Sequence, residues 1–175
     1  MISAPYVNKL RCVIIGLVLI ATSCFADPKL NVEIAKTSAE KAWGLMGRHA
    51  LPENQGMLFV YQPPEKMSFW MFNTLIDLSI AFIDRNNIVG EIHEMKAYPE
   101  KMDNNRPIKQ LADIDQYTNN EQQFFREHSV ISQSDYAYAL EASAGWFTKH
   151  GVKVGDRMIF DEQRHRVSFQ RKASS

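Results

Sequence analysis

Two short blocks hold the residues best placed to do chemistry: Ser68-Phe69-Trp70-Met71-Phe72-Asn73-Thr74 and Leu140-Glu141-Ala142-Ser143-Ala144-Gly145-Trp146. Each sets a polar side chain, Asn73 or Glu141, among apolar and aromatic neighbours of the kind that folded chains bury. A polar group taken inside must find a partner or cost roughly 1–3 kcal/mol. Both are therefore expected to tie the aromatic strand to neighbouring backbone. With Thr74 they would also rim a platform of Trp43, Phe69, Trp70, Trp146 and Phe147, suited to stacking on a sugar ring or gripping an apolar peptide side chain. Arg48 would add a bidentate clamp for a carboxylate. Asp156 joins the set as a second acid, which with Glu141 would let a cell-envelope hydrolase work by acid and base.

Other chemistries find less support. The five histidines are scattered and no His-Glu-x-x-His helix occurs, although Glu91 and His93 share one strand face. Met57, Met67, Met71, Met95 and Met102 lack the tight repeats of a copper(I) carrier and read as core filler. No Gly-x-Ser-x-Gly elbow is present. The expectation is a binding domain for a small molecule, a glycan or an envelope protein, without cofactor or metal and monomeric. The hydrolase using Glu141 or Asp156 is the alternative.

The elements that must position these residues follow from periodicity. Leu30 to Ile34 alternates as a half-buried strand. Thr37-Ser38-Ala39-Glu40 has the spacing of a capping box, ahead of a helical face of Ala39, Ala42, Trp43 and Met46. Met57 to Tyr61 is a buried strand that Pro63-Pro64 should end. Ser68 to Met71, Ile76 to Asp84 and Ile88 to Met95 follow as strands, the last two joined by a turn at Arg85-Asn86-Asn87. Tyr136 to Glu141 alternates large and small, and Gly145 to His150 suits a short helix. Val152 to Val154 and Met158 to Phe160 read as two short strands around Gly155-Asp156. The sum is a small α+β domain over residues 27–160, with a mostly antiparallel, barrel-like sheet and two or three short helices. Residues 101–129 form a polar insertion, and the basic segment 161–175 reads as a flexible tail.

Five blocks stand in an order that resembles one known family. They are Gly44-Leu45-Met46-Gly47-Arg48, Gly56-Met57-Leu58-Phe59, Phe69-Trp70-Met71 with Asn73-Thr74, Leu140-Glu141 with Ala144-Gly145-Trp146, and Gly151 to Asp156. The chain is identified as a member of the domains of unknown function numbered 192. That resemblance implies a small mixed α/β domain, often exported in bacteria and without an assigned activity. The chain departs from the pattern at Phe72, where a Lys or Arg is usual, and at Asp77-Leu78-Ser79, where Pro-Leu-Asp is usual. Its link from Met95 to Tyr138 is also longer and more polar.

The N-terminus reads as a targeting segment. Lys9 and Arg11 precede an apolar run from Cys12 to Ala21, too short for a membrane span and right for a signal peptide over residues 1–26. Cleavage removes both cysteines, Cys12 and Cys24, and with Lys9 and Arg11 takes the net charge from 0 to −2. A chain so balanced lacks the basic face of a sequence-independent nucleic-acid binder. N-terminal sequencing of the exported product should read from Asp27, giving a periplasmic or secreted protein. A lipid-bearing start at Cys24 would instead make it an anchored lipoprotein.

Overall fold

A computed structural model describes residues 27–172, so the expected signal segment lies outside the described residues. The alternating Leu30-to-Ile34 segment forms strand β1 (Lys29–Ala35), and Thr37 starts helix α1 (Ser38–Trp43). The Thr37 hydroxyl accepts from the Glu40 N–H at 3.2 Å, and the Glu40 carboxylate accepts from the Thr37 N–H at 2.8 Å. Two N–H groups that the first turn leaves over are thereby satisfied. Helix α1 carries the chain to β2 (Gln55–Phe69), which lies beside β1 and parallel to it. Parallel neighbours need such a crossover, because a tight hairpin can only reverse the chain.

The remaining strands are β3 (Leu78–Ile83), β4 (Val89–Met95), β5 (Val130–Ser143), β6 (Arg157–Asp161) and β7 (Arg166–Gln170). They complete a seven-stranded sheet in the order β4-β3-β5-β2-β1-β7-β6. Every pairing except β1–β2 is antiparallel, so the sheet is mixed. It curls into a half-barrel whose edges meet at one end. The Val89 N–H donates to the Asp156 carbonyl at 2.9 Å, the Gly155 N–H to Val89 at 2.8 Å, and the Met158 N–H to Asn87 at 2.8 Å.

Both faces of the central strands are covered. On one lie Leu58, Leu140, Val167 and Phe169, with Trp146 and Phe147 of helix α3 (Trp146–Lys149). On the other lie Met57, Phe59, Phe69, Ile80 and Phe82, with Leu45 from the segment after α1. Strand β3 is buried at every position.

Three expectations are corrected. Pro63-Pro64 does not end β2; the prolines sit where its register against β5 shifts between Val60 and Glu65, a stretch with no ladder bond for a proline to break. Residues 152–154 form a turn instead of a strand, held by the Val152 N–H on the Phe147 carbonyl at 2.8 Å. Around the polar insertion, 3₁₀ turns at Pro99–Lys101 and Leu111–Gln116 precede helix α2 (Asn119–Glu127), capped by Thr118 and Glu121. The insertion's Ile108, Tyr117 and Phe125 bury Phe72 in a third apolar cluster.

The third correction is the tail. Residues 166–170 form β7, between β1 and β6, with Val167 and Phe169 at 0% and 1% exposure. The two apolar residues alternate with polar ones and meet an open edge of β1, so pairing outweighs the fraying expected of a chain end. Phe169→Ala should lower stability by about 3–5 kcal/mol in urea unfolding. A loss no larger than about 0.5 kcal/mol, typical of surface positions, would return this segment to a frayed tail.

Candidate functional site

Strand β5 places Glu141 between Met57 of β2 and Ile80 of β3. Alternation along β5 puts it on the same face as Ala139, among Met57, Phe59 and Phe82. The approach of β2 is close here: a Cβ on Gly56 would lie 2.5 Å from the Glu141 carbonyl oxygen, so only glycine fits without a shift. The result is a carboxyl group at 5% exposure in the middle of an apolar sheet face.

Over this carboxyl the structure leaves a pocket of about 420 Å³ between the C-terminal end of α1, strand β2 and the turn that follows it. Trp43, Phe59, Tyr61, Phe69 and Trp70 supply aromatic walls, while Thr74, Ser68 and Glu65 add polar groups. No described residue hydrogen-bonds the Glu141 side chain, and burial alone pushes its carboxyl up to about 8. Tyr61 is pushed up to about 12, first by burial and then by the negative charges of Glu65 and Glu141. The Lys41 ammonium lies 4.0 Å above the Tyr61 ring and donates to the Val60 carbonyl at 3.5 Å.

The insertion sets one wall of the pocket. Phe72 stacks on Trp70 with ring centroids 5.1 Å apart, and Tyr117 and Phe125 meet Phe72 edge-on at 5.1 and 5.0 Å. Arg126 of α2 lies 5.9 Å from the Trp70 ring. A chain with Lys or Arg at position 72 would lack this aromatic relay. The apolar Phe72 and the longer insertion therefore explain each other.

Of the residues singled out from sequence, Trp43, Phe69, Trp70, Thr74 and Glu141 share the pocket. The others lie elsewhere. Arg48 holds both Glu33 carboxylate oxygens at 2.6 Å. Trp146 is 2% exposed, packs on the opposite sheet face and stacks on His150 at 4.3 Å. Asp156 accepts from the Lys153 and Lys172 N–H groups, both at 2.9 Å, and so pins a turn to the chain end. It is not part of an acid pair with Glu141.

Asn73 has φ +52°, a conformation asparagine tolerates better than most residues, and its carbonyl accepts from the Gly47 N–H at 2.7 Å. Its side-chain amide has no hydrogen bond to the described residues, so the residue fixes the turn through its backbone. Glu141 does not tie the strand to neighbouring backbone through its side chain either. Both polar groups were expected to be bonded, and neither is.

Tyr61, Lys41 and Glu65 escaped the sequence reading. The alternation Met57-Phe59-Tyr61 was the available signal, because it places the phenol on the face that Glu141 joins once β2 and β5 pair. The Glu91–His93 pair does something else: His93 Nε2 lies 2.9 Å from Glu91, whose other oxygen accepts from the Gln133 N–H at 2.9 Å, linking β4 to the start of β5. Among the described residues, no cluster of three or more His, Cys, Asp or Glu is placed to hold a metal ion.

Comparison with known proteins places this geometry in context. The sequence profile of DUF192, described as an uncharacterized ACR, matches residues 21–160. A crystal structure of a protein of unknown function from Novosphingobium aromaticivorans DSM 12444 is similar, with 30% identity, 73% of each chain covered and a TM-score of 0.55. A protein from Sinorhizobium meliloti 1021, provisionally described as a transcription regulator, is similar at 28% identity and a TM-score of 0.55, covering 73% of this chain and 79% of its own. No curated protein matches the chain.

The unpartnered carboxyl has a thermodynamic signature. Its folded-state pKa, raised from 4.5 to about 8, means that the native state holds a proton which the unfolded state has lost in between. The stability this contributes is full below pH 4.5 and is lost as pH rises through about 8. Glu141→Gln keeps the neutral shape and removes the titration. Denaturant unfolding between pH 5 and 8 should show the variant gaining on the wild type by about 1.4 kcal/mol per pH unit. A pH-independent difference would mean that the carboxyl already has a partner.

Proposed function

The chain belongs to the DUF192 family, and within it we propose that this protein binds a small ligand, without chemical change, in the pocket that ends at Glu141. The observation that carries this reading is the carboxyl itself, at 5% exposure below aromatic walls, opening on the pocket and hydrogen-bonded to none of the described residues. An isolated buried polar group lowers stability. Chains retain such groups mainly where a ligand supplies the missing partner, and perturbed acids gather at such places. Trp70 and Trp43 would grip the apolar body of the ligand, and Thr74 and Glu141 would orient its polar end. The protein would work as an exported monomer, meeting a soluble ligand or a glycan in the periplasm or outside the cell.

A second reading has one observation in its favour. A carboxyl still protonated near neutral pH is suited to act as a general acid, and Glu65 in the same pocket supplies another acid. A hydrolase of the cell envelope would then use Glu141 with Glu65, not with Asp156. Binding ranks first because the pocket holds no side chain in the arrangement of an activated nucleophile.

The test is a thermal-shift screen of a chemically mixed small-molecule library against the purified protein, with mass spectrometry of each hit after incubation. Hits should be recovered unchanged, and Trp70→Leu and Thr74→Ala should each weaken them at least about tenfold, the equivalent of 1.4 kcal/mol. Recovery of cleaved products would favour the hydrolase. Hits that bind Trp70→Leu as well as the wild type would place the site elsewhere and overturn the reading.

A further inference from the structure

The charges around the pocket narrow the chemistry of its ligand. Its lining contains two acids, Glu65 at the exposed mouth and Glu141 at the floor. Lys41 is the cation of the lining, and its ammonium is already engaged by the Tyr61 ring and the Val60 carbonyl. The C-terminal end of α1 forms part of the wall through Lys41, Ala42 and Trp43, which puts the negative end of that short helix on the pocket. Aromatic faces attract cations, and the Lys41–Tyr61 contact shows one wall already doing so. An anion would meet two acids and no free base there.

We propose that the ligand carries a cationic nitrogen, as an alkylammonium or guanidinium group, which seats on the Glu141 carboxylate with its hydrocarbon body against Trp70 and Trp43. The inference rests on the binding reading above and adds the class of ligand. As the cation enters, the Glu141 carboxyl releases its proton to solvent, so one positive charge replaces another. The exchange removes the desolvation problem on both sides: the carboxylate gains a charged hydrogen-bond donor, and the cation leaves water for a paired site.

Binding should therefore be linked to pH through one group. The charged and titratable residues facing the pocket with Glu141 are Tyr61 and Glu65 of β2 and Lys41 of α1; the turn after β2 contributes the neutral Thr74, and β3 pairs with Glu141 through the apolar Ile80 without lining the pocket. Tyr61, pushed up to about 12, stays protonated across the neutral range.

The experiment uses four probes with one body and different heads: n-butylammonium, n-butylguanidinium, n-butanol and butyrate. Each is titrated into the purified protein by calorimetry at pH 6, 7 and 8, in buffers of different ionisation enthalpy. The two cations should bind, their affinity rising about tenfold from pH 6 to 7 and about fivefold from pH 7 to 8, with close to one proton released per ligand at pH 6 and about half a proton at pH 8. Butanol and butyrate should bind at least about tenfold more weakly at pH 8, a difference of 1.4 kcal/mol. Glu141→Gln, confirmed as folded by its melting transition, should lose the pH dependence and the proton release. Lys41→Gln should keep both. Butanol binding as tightly as the cations, with no proton released, would overturn the cationic ligand while leaving a pocket for neutral molecules. Cation binding with an unchanged pH slope in Glu141→Gln would overturn the assignment to this carboxyl. Absence of cation binding, set beside hits from the mixed library that need Trp70, would overturn this inference alone.

Discussion

Burial of both faces of β3 and β5 is the constraint on which the remaining architecture depends. Strand β3 has no exposed position, and β5 sends Leu140 and Ala142 to one side and Ala139 and Glu141 to the other. A flat sheet of such strands would leave one apolar face in water. Curling lets α3, β6 and β7 close over one face, while the segments after α1 and β2 close over the other. The backbone bonds between residues 87–89 and 155–158 fasten the curled edges where these covers meet. Each peripheral element thus has its place because the central strands have no face to spare for solvent.

Glu141 is the exception on that buried surface. Most buried polar groups in proteins are bonded, and Ser79, Ser132, Glu91 and Asp156 follow the rule here. The Glu141 carboxyl remains neutral because the alternative, an unpaired charge at low dielectric, is far worse. Its retention therefore marks a point where the fold is not organised for stability alone. The walls around it show complementary economy. The Trp70 ring is backed by Phe72, and Phe72 by the insertion, so a segment that is polar in composition supports an aromatic surface from behind.

Much of the local structure was legible in the sequence. The capping box at Thr37 and Glu40, the strand alternation of Leu30 to Ile34, the turn at Asn86-Asn87 and the short helix after Gly145 all rest on contacts within a few residues. Polar groups at Asn73 and Glu141 were correctly seen to be buried, yet no described residue hydrogen-bonds either side chain. Burial follows from composition and alternation, whereas partnership depends on what other strands bring near. Asn73 illustrates the difference: its type matters for a backbone conformation, while its amide is idle.

The sequence by itself determined the family, the elements that carry their own caps or alternation, and which of their faces are apolar, because φ/ψ preference and side-chain period act over a handful of residues. Only the tertiary structure decided that β1 and β2 run parallel, that the basic tail becomes β7, and that Trp146 and Asp156 lie away from Glu141. Those outcomes depend on pairings between distant segments, such as Met57 with Glu141 and Leu30 with Val167. The free energy that selects one pairing over another comes from apolar area buried across the whole domain. No short stretch of the chain contains it.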